Sequence, residues 1–555
     1  MKLHLLVSAM EKGGGSIHTR STDHHDFIVM KTETENAQEP TYIGRDHYLS
    51  HEDEIDESRA RAFEPAFSTV HASTQQATVE LWKGNDIPPH ALRQSLLSAF
   101  LDHCQVWTPV LEPDDVAEFS RDQTPSSMLL AQSLWLAGSR VTSGPAVAAF
   151  ATPDIFYHRA KAIFWSGLET QPVSVVKASL MLQWYNPQAP EHVSFDSSGF
   201  WLKIGVGVAH QIGLHREPSP GPSRAIRRKL WWSLANRDSL ICVAHGRPRI
   251  INLDDSNVQR PLRSDFPESE FNFHLFSSWT DICQVLGDIS TCCMRKHLSR
   301  TKKLYIDGML YRWIKGMPAE LQIIPKNQLA NTFFPAGHNF AVRQLYIPYF
   351  TSLIIYSRMQ NSAGSMSVTA TLAASFVARL FEDFVARDEI KVLAPIFTRF
   401  CLISSMALVA TMPHHELWDS CQPDLMVLQQ SLTELSKRWR SAIGASKALK
   451  NAISKRQQKG LNAAPPARMD DQHTLDFFET LDLDYCRMWT PINQQLLGAD
   501  SNSYHHVQLD IPVQGFSAME EFNAAFDPTQ GLNPSLMQFQ HVEDWILNDG
   551  NLFQP

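Results

Sequence analysis

The stretch GFWLKIGVGVAHQIGLHREPSPGPSRAIRRKLWWSLANRD, residues 199–238, has the pattern of two helices joined by a turn rich in proline and glycine. Its apolar residues recur every three or four positions on both sides of the turn, as on one face of an α-helix. Gly213 stands where the first helix would end, and Ser223 is a candidate cap for the second. Gly205 and Ala209 would let a neighbouring helix approach closely. The stretch therefore predicts a pair of packed helices.

Charged residues of the second predicted helix need partners. Its first turns carry four basic residues, at the end where the helix dipole disfavours positive charge: Arg224, Arg227, Arg228 and Lys229. Farther along, we expect Arg237 and Asp238 to form ion pairs inside the helical core, where breaking a buried pair costs about 3–5 kcal/mol. Binding of an effector by these two side chains is the alternative.

Helical spacing continues from about residue 88 to residue 445, and strand-like alternation is nearly absent. The predicted fold class is all-α. A late apolar stripe predicts one amphipathic helix with Leu425, Leu428, Leu432, Leu435, Trp439 and Ile443 on one face. The longest apolar stretch, about residues 400–412, is too short to span a membrane and predicts a buried helix.

Composition divides the chain into four predicted segments. Residues 1–85 are polar, rich in histidine and acids, and too poor in apolar groups to offset chain entropy, so we expect disorder. Residues 86–445 form the helical domain. Residues 446–469 form a basic linker, broken by Pro465 and Pro466. Residues 470–555 form an acidic tail that we expect to be largely disordered.

The acidic tail has fourteen acids against one basic residue, and its acids are interleaved with aromatic side chains. Repulsion between the acids would keep the aromatics from forming a core, so that they remain available to a partner's groove. This composition predicts a transcriptional activation segment that acts through Phe477, Phe478, Phe522, Phe526 and Trp545. A tail that merely aids solubility is the alternative.

Residues 437–469 carry nine basic residues and no acid. A nuclear import signal is predicted within them, formed by Lys447, Lys450, Lys455, Arg456 and Lys459. The solvated end of a helix is an equally simple explanation for the same charges.

Three runs, in this order and spacing, carry a family resemblance. They are AHQIGLHREP at residues 209–218, RRKLWWSLANRD at residues 227–238 and GRP at residues 246–248. Together they resemble the middle homology region of fungal transcription factors, a family that usually carries a six-cysteine binuclear zinc cluster. The signature residues are Gly213, Leu214, His215, Arg216, Pro218, Trp231, Trp232, Arg237, Asp238, Gly246, Arg247 and Pro248. Residues 156–161 look similar to those of cutinase and fatty-acid-response regulators.

The resemblance implies a nuclear regulator of genes transcribed by RNA polymerase II, with an all-helical regulatory domain and, by family, zinc and DNA binding. The eight cysteines of this chain are scattered, starting at Cys104, and are predicted to be reduced, buried thiols. No residue is therefore predicted to bind zinc, and no cofactor is expected in this chain. We expect DNA contact through a module missing from this sequence, encoded upstream of Met1, or through a partner factor.

The remaining partners expected from the resemblance are transcription coactivators, a small-molecule effector and a second copy of the chain. We do not expect an enzyme or a membrane protein, because no nucleophile elbow, metal-ligand spacing or acid pair for catalysis stands out. The alternative function is that of a helical interaction protein that does not bind DNA and modulates another transcription factor.

Overall fold

Helices account for all the regular structure of the described residues, which in this computed structural model are Tyr42 and residues 68–142, 144–188, 190, 192–323, 337–360, 366–458 and 474–500. These ranges contain no β-strand, so the predicted all-α class is confirmed. The first helices are α1 (Ser68–Leu81), α2 (His90–Phe100), α3 (Pro113–Ser120), α4 (Met128–Val141), α5 (Pro145–Phe150), α6 (Pro153–Ser166), α7 (Pro172–Leu182), α8 (Ser198–Gln211) and α9 (Arg224–His245).

The second part of the domain is built in the same way. Its helices are α10 (Glu270–Arg295), α11 (Arg300–Lys315), α12 (Phe340–Gln360), α13 (Val368–Ala386), α14 (Ile396–Val409), α15 (His415–Ser436), α16 (Arg440–Gln458) and α17 (Trp489–Asp500). A π-helical turn, Leu101–Gln105, continues α2. Short 3₁₀ turns lie at Leu253–Asp255, Arg263–Asp265, Ala319–Leu321, Ile390–Val392, Thr474–Phe478 and Leu483–Tyr485. None of the helices in the described ranges has the length and apolar content needed to cross a bilayer.

Local sequence explains where several helices begin and end. The Ser197 hydroxyl accepts a hydrogen bond from the backbone N–H of Phe200 and so caps α8. Gly213 follows α8 with φ of 68°, and Gly246 ends α9 with φ of 60°, conformations that favour glycine. Ser223 directly precedes α9 as predicted, but its side chain makes no capping hydrogen bond.

The core is continuous from the first helices to the last. Helix α4 packs against α2, α6 and α7, and α7 packs on α8. Helix α9 contacts both α8 and α10, while α12, α13, α14, α15 and α16 pack against one another in the second half. At Gly205 on α8 a Cβ atom would overlap the Ser179 hydroxyl of α7, so the predicted close approach of a neighbouring helix is confirmed.

Both boundaries of the helical domain differ from the predicted ones. Helix α1 begins at Ser68, within the segment predicted to be disordered, and it packs against α6. The Trp82 ring, just after α1, stacks on His158 of α6. Helix α16 runs through the predicted linker as far as Gln458. Sparse apolar residues suffice here, because each helix has to cover only one stripe of a core that others supply.

The late apolar stripe belongs to two helices. Leu425, Leu428, Leu432 and Leu435 are buried on α15, and Trp439 is buried in the turn that follows. Because the chain changes direction at this turn, Ile443 lies on α16 and is exposed. The prediction of one helix with Ile443 on its buried face was therefore wrong, although the other members of the stripe do face the core.

The first part of the predicted acidic tail is packed into the domain. Phe478 is 1% exposed and stacks on Phe350 of α12 and Phe376 of α13. The hydroxyl of Tyr349 donates a hydrogen bond to the backbone carbonyl of Phe477. The expectation of an unstructured tail beginning at residue 470 therefore does not hold for residues 474–500, where aromatic rings of the segment meet aromatic rings of the core.

A buried carboxylate fixes this segment further. Asp424 of α15 has a fully buried side chain and accepts hydrogen bonds from Arg487, at 2.6 Å, and from Ser375. Arg487 also contacts Glu382, at 2.7 Å. Burial raises the pKa of Asp424, whereas Arg487 and Ser375 favour its ionised form.

Replacing Arg487 with methionine should destabilise the full chain by about 3 kcal/mol, because Asp424 would then be buried without a cationic partner. Urea unfolding at pH 7 measures this change in the free energy of unfolding. The matched control is Lys437→Met, which removes an exposed pair with Glu434 and should cost under about 0.5 kcal/mol. Equal effects of the two substitutions would contradict the role assigned to Arg487.

Candidate functional site: the signature loops and a cationic cavity

The loop that follows α8 holds the first signature run, residues 213–218. Gly213 turns the chain out of the helix, and Leu214 is buried beneath the turn. The His215 ring packs edge-on against His210, with ring centroids 5.1 Å apart. Burial lowers the pKa of His215, and the nearby His210 and Arg216 lower it further, so the ring is neutral at pH 7.

Tyr42 contacts the outer side of this loop. Its backbone N–H donates to the carbonyl of Gln211 over 2.6 Å, and its ring lies against Gly213. Arg216, which is exposed, donates from Nε to the Tyr42 hydroxyl over 3.0 Å. Pro218 is half-buried at the end of the run. The signature residues of this loop therefore form a turn, and Tyr42 covers the outer side of that turn.

A charge network joins this loop to the start of α9. The Arg228 guanidinium is 1% exposed and donates to both carboxylate oxygens of Glu217. It also contacts Asp265 at 3.3 Å and the Gln259 side chain at 3.0 Å. Arg224 adds a second contact to Glu217, at 3.0 Å. The acids thus neutralise the positive charge that the sequence places at an unfavourable helix end.

The ionisation of Glu217 reflects this network. Burial alone would raise its pKa, but hydrogen bonds from Arg228, from the backbone of Gln259 and from Arg224 lower the pKa to about 2. Glu217 is the main reason that the pKa of Arg228 is raised above its ordinary value. Both groups are therefore charged throughout the physiological range of pH.

The paired tryptophans of the second signature run are buried on α9. Trp231 lies beside His210, with ring centroids 5.8 Å apart, and so supports the first loop. Trp232 donates from Nε1 to the backbone carbonyl of Gln259 over 2.7 Å. The guanidinium of Arg260 lies 4.4 Å from the centre of the Trp232 ring. The two tryptophans therefore connect α9 to His210 on one side and to the segment with Gln259 and Arg260 on another.

Arg237 and Asp238 have separate partners. Arg237 donates from Nε to the side-chain oxygen of Gln183 over 2.9 Å. The Asp238 carboxylate accepts hydrogen bonds from the backbone N–H groups of Ile250, at 2.9 Å, and Ile251, at 2.8 Å. Neither side chain lies within ion-pair distance of an oppositely charged group among the described residues, so the expected ion pairs do not form.

The third signature run, residues 246–248, makes the loop that Asp238 holds. The backbone N–H of Gly246 donates to the carbonyl of Cys242 and closes α9. Arg247 is exposed and donates to the backbone carbonyl of Pro190 over 3.3 Å. Pro248 is also exposed. The run places a cation at the border between this loop and the segment that joins α7 to α8.

A cavity of about 950 Å³ opens beside this loop, between α8, α9, α14, α16 and the segment joining α7 to α8. Four signature residues line it: Arg237, Asp238, Arg247 and Pro248. Val193 and Phe195, at its border, are strongly exposed for apolar residues. The volume is in the range of small-molecule sites, which is about 300–1,000 Å³.

The other predicted site residues lie elsewhere. Lys447, Lys450, Lys455 and Arg456 are on α16, where Lys447 also borders the cavity, and Lys459 is outside the described residues. Phe477 and Phe478 are in the segment packed against α12 and α13. Phe522, Phe526 and Trp545 are outside the described residues. Among the described residues, the import residues lie on α16 and the two phenylalanines lie in a different segment.

The thiols are distributed through the core. All eight cysteines are free and buried, as predicted. Burial raises the pKa of Cys104 and Cys283 well above the ordinary value for a thiol. In the described part of the chain no three His, Cys, Asp or Glu side chains are placed to hold a metal ion. The cysteines therefore do not fit the binuclear zinc cluster that the resemblance implies.

Sequence reasoning missed several residues of the site. Asp265 and Gln183 complete the surroundings of Arg228 and Arg237 from distant segments, so no local pattern marked them. His245 and Thr398 also line the cavity, but they lie on different helices and no local pattern linked them. Glu217 lay inside the first signature run, and its position between basic residues was a usable signal.

The described chain is thus an all-α domain in which three sequence runs, joined through α9, shape two loops and one wall of a cavity. Residues 97–346 match the fungal specific transcription factor domain. The resemblance predicted from the signature runs is therefore confirmed. The match includes all three runs and ends inside α12. No solved structure matches the chain.

Named fungal regulators are similar to the chain over much of its length. Cutinase transcription factor 1 alpha of Fusarium vanettenii is 25% identical in an alignment that covers 64% of this chain and 42% of that protein. The acetamidase regulatory protein of Aspergillus fumigatus is 25% identical over 69% of this chain and 51% of its own length. That of Emericella nidulans is 26% identical over 55% and 39%. The chain thus spans about half the length of these relatives, and a cutinase regulator is among them, in agreement with the predicted subgroup.

Replacing Glu217 with glutamine should destabilise the full chain by about 3 kcal/mol at pH 7, because the pKa of Glu217 is held about two units below its unfolded value. Since the folded pKa is the lower one, this contribution is complete above about pH 4.5 and is lost as the pH falls towards 2. In urea unfolding at pH 7, 5 and 4, the difference in the free energy of unfolding between the variant and the unsubstituted protein should become smaller as the pH falls. Glu434→Gln, which removes an exposed carboxylate, is the control, and a difference independent of pH would contradict the network.

Proposed function

We propose that the protein regulates transcription by RNA polymerase II in the nucleus, and that its helical domain acts in regulation rather than catalysis. The match of residues 97–346 to the fungal specific transcription factor domain carries this proposal. The relatives reported above are transcription factors and regulatory proteins by name, which supports the same class. Because the chain covers only about half of those relatives, its targets and partners are part of the proposal.

The helical body supplies the regulatory input of this function. Its loops and cavity offer a place for a small-molecule effector, and its outer faces offer surface for a second copy of the chain. DNA contact comes from a module outside this sequence or from a partner factor, since the cysteines present do not fit a zinc cluster. We include residues 474–500 in the body, because Phe478 and Asp424 bind this segment to the core.

The output of this function is activation through recruitment of coactivators by residues 501–555. Phe477 and Phe478 are engaged in the core, so we assign the activating role to Phe522, Phe526 and Trp545. Two acidic clusters surround these aromatics, at residues 519–527 and 542–547. An aromatic flanked by acids can remain accessible and then dock into an apolar groove as one face of a short helix.

A fusion of residues 501–555 to a foreign DNA-binding domain should activate a reporter gene in a fungal host. Replacing Phe522, Phe526 and Trp545 with alanine should lower the reporter signal severalfold at equal protein level. The matched control replaces Phe516 and Phe539, which stand outside the acidic clusters, and should leave the signal unchanged. A silent reporter with a well-expressed fusion would refute activation and favour a protein that only modulates another factor.

Nuclear import is assigned to the basic residues at the end of α16. Replacing Lys450, Lys455, Arg456 and Lys459 with glutamine should move a fluorescent fusion of the full chain from the nucleus to the cytoplasm. Lys447 is left intact because it borders the cavity. Replacing Lys296, Arg387, Lys391 and Lys437, which are surface cations elsewhere, is the control of equal charge change. An unchanged nuclear signal in the α16 variant would contradict the assignment.

A further inference from the structure

The cavity beside the third signature run has an excess of positive charge. Seven lysine and arginine residues line it, and they come from α8, α9, α14, α16 and the loop after α9. Asp238 is the only acidic residue among the lining residues. Its carboxylate accepts two hydrogen bonds from the backbone of Ile250 and Ile251 and so serves the loop. Arg249 is paired with Asp288 of α10 at 2.7 Å, so six of the seven cations are left against the one acidic residue of the lining.

Three polar side chains in the cavity wall lack either an ion-pair partner or a hydrogen-bond partner among the described residues. Arg237 has the Gln183 side chain as its hydrogen-bond acceptor but no carboxylate within ion-pair distance among the described residues. Thr398, on α14, is only 3% exposed, and its hydroxyl makes no hydrogen bond. Nδ1 of His245 is likewise buried without a hydrogen-bond partner. Buried polar groups are usually hydrogen-bonded, so these groups are available to a ligand that enters the cavity.

The pKa values of His245 and Arg237 both reflect burial, and that of His245 also reflects the positive charges around the cavity. Burial lowers the pKa of His245, and the charges of Arg247, Arg399 and Arg237 lower it further, to about 4. Burial lowers the pKa of Arg237 to about 10, so that its guanidinium still carries a charge at pH 7. The imidazole is then neutral and can donate a hydrogen bond, while the guanidinium attracts an anion.

Another part of the cavity wall is apolar. It is formed by Leu202, Leu240, Ile241, Leu402, Met406 and Trp439. A free inorganic anion would leave this surface in contact with water, whereas a ligand with an apolar body would cover it. The two kinds of wall together specify an amphiphilic molecule.

We propose that this cavity binds a small organic carboxylate with an apolar body, whose carboxylate is held by Arg237, Thr398 and His245. The apolar body lies against the side chains of α8, α9 and α14. Binding would tie α9 to α14 and α16, which belong to the two halves of the domain. That this ligand is the effector of transcription rests on the proposed function, whereas the binding itself does not.

Fluorescence of the full chain with 1-anilinonaphthalene-8-sulfonate, an anion with an apolar body, tests the site. Displacement of this probe by 2-naphthoate gives the affinity for a carboxylate. The neutral 2-naphthol, with the same ring system, and inorganic phosphate should displace the probe at least tenfold more weakly. If 2-naphthol displaces the probe as well as 2-naphthoate does, the proposal that the ligand is an anion is wrong. If only phosphate displaces the probe, the proposal that the ligand is an organic carboxylate is wrong.

Substitutions locate the binding. Arg237→Met should weaken 2-naphthoate roughly tenfold or more, and Thr398→Val about fivefold, from the usual strength of such hydrogen bonds. Thr351→Val is the matched control, because Thr351 is also buried with an unbonded hydroxyl but lies on α12, away from the cavity. Arg387→Met controls for the loss of an exposed arginine.

Thr398 keeps the experiment decisive if the arginine variant fails to fold. Valine has nearly the shape of threonine, so Thr398→Val should retain the thermal unfolding temperature while it loses affinity. Unchanged affinity in a folded Thr398→Val protein, together with unchanged affinity in Arg237→Met where that protein folds, would overturn the site. These measurements need no reporter gene, so their failure is distinct from a failure of the proposed function.

Discussion

The contact between Arg228 and its carboxylate partners is the constraint on which the signature region depends. A guanidinium that is almost fully buried has to be neutralised, since isolated charges are very costly in a protein interior. Glu217 provides one partner from the loop after α8, and Asp265 provides another from a turn that precedes α10. The loop and the turn can therefore take only those positions that bring their acids to α9.

The packing of α9 extends this constraint to the rest of the domain. Once its first turns are fixed, Trp231 lies beside the His210 ring at the end of α8, and Trp232 donates to the backbone carbonyl of Gln259. Asn236, one turn farther on, bonds to Thr280 of α10 over 3.0 Å. The helix is thus buried on several sides and joins the segments around it.

Local patterns were sufficient for the fold class and for the turns of this region. The helical period and the left-handed glycines at 213 and 246 follow from short-range sterics, which the sequence displays directly. The acidic surroundings of Phe478 predicted exposure, yet its ring is in the core, because packing against distant aromatics outweighs local composition. Packing between distant segments also explains why the sequence revealed only part of the candidate site. Arg237 was identified from its motif, but Thr398 joins it only through the packing of α14 against α9.

Two arginines of α9 are used in opposite ways. Arg228, near the positive end of the helix dipole, is surrounded by the protein's own acids. Arg237 lies nine residues later, about 14 Å along the axis, where the dipole no longer opposes a cation. There the described part of the chain supplies a neutral amide and no carboxylate within ion-pair distance, and further cations lie around the same cavity. A structural arginine is compensated from within, whereas an arginine that faces a cavity and lacks such compensation is best explained by an anion that the chain does not itself provide.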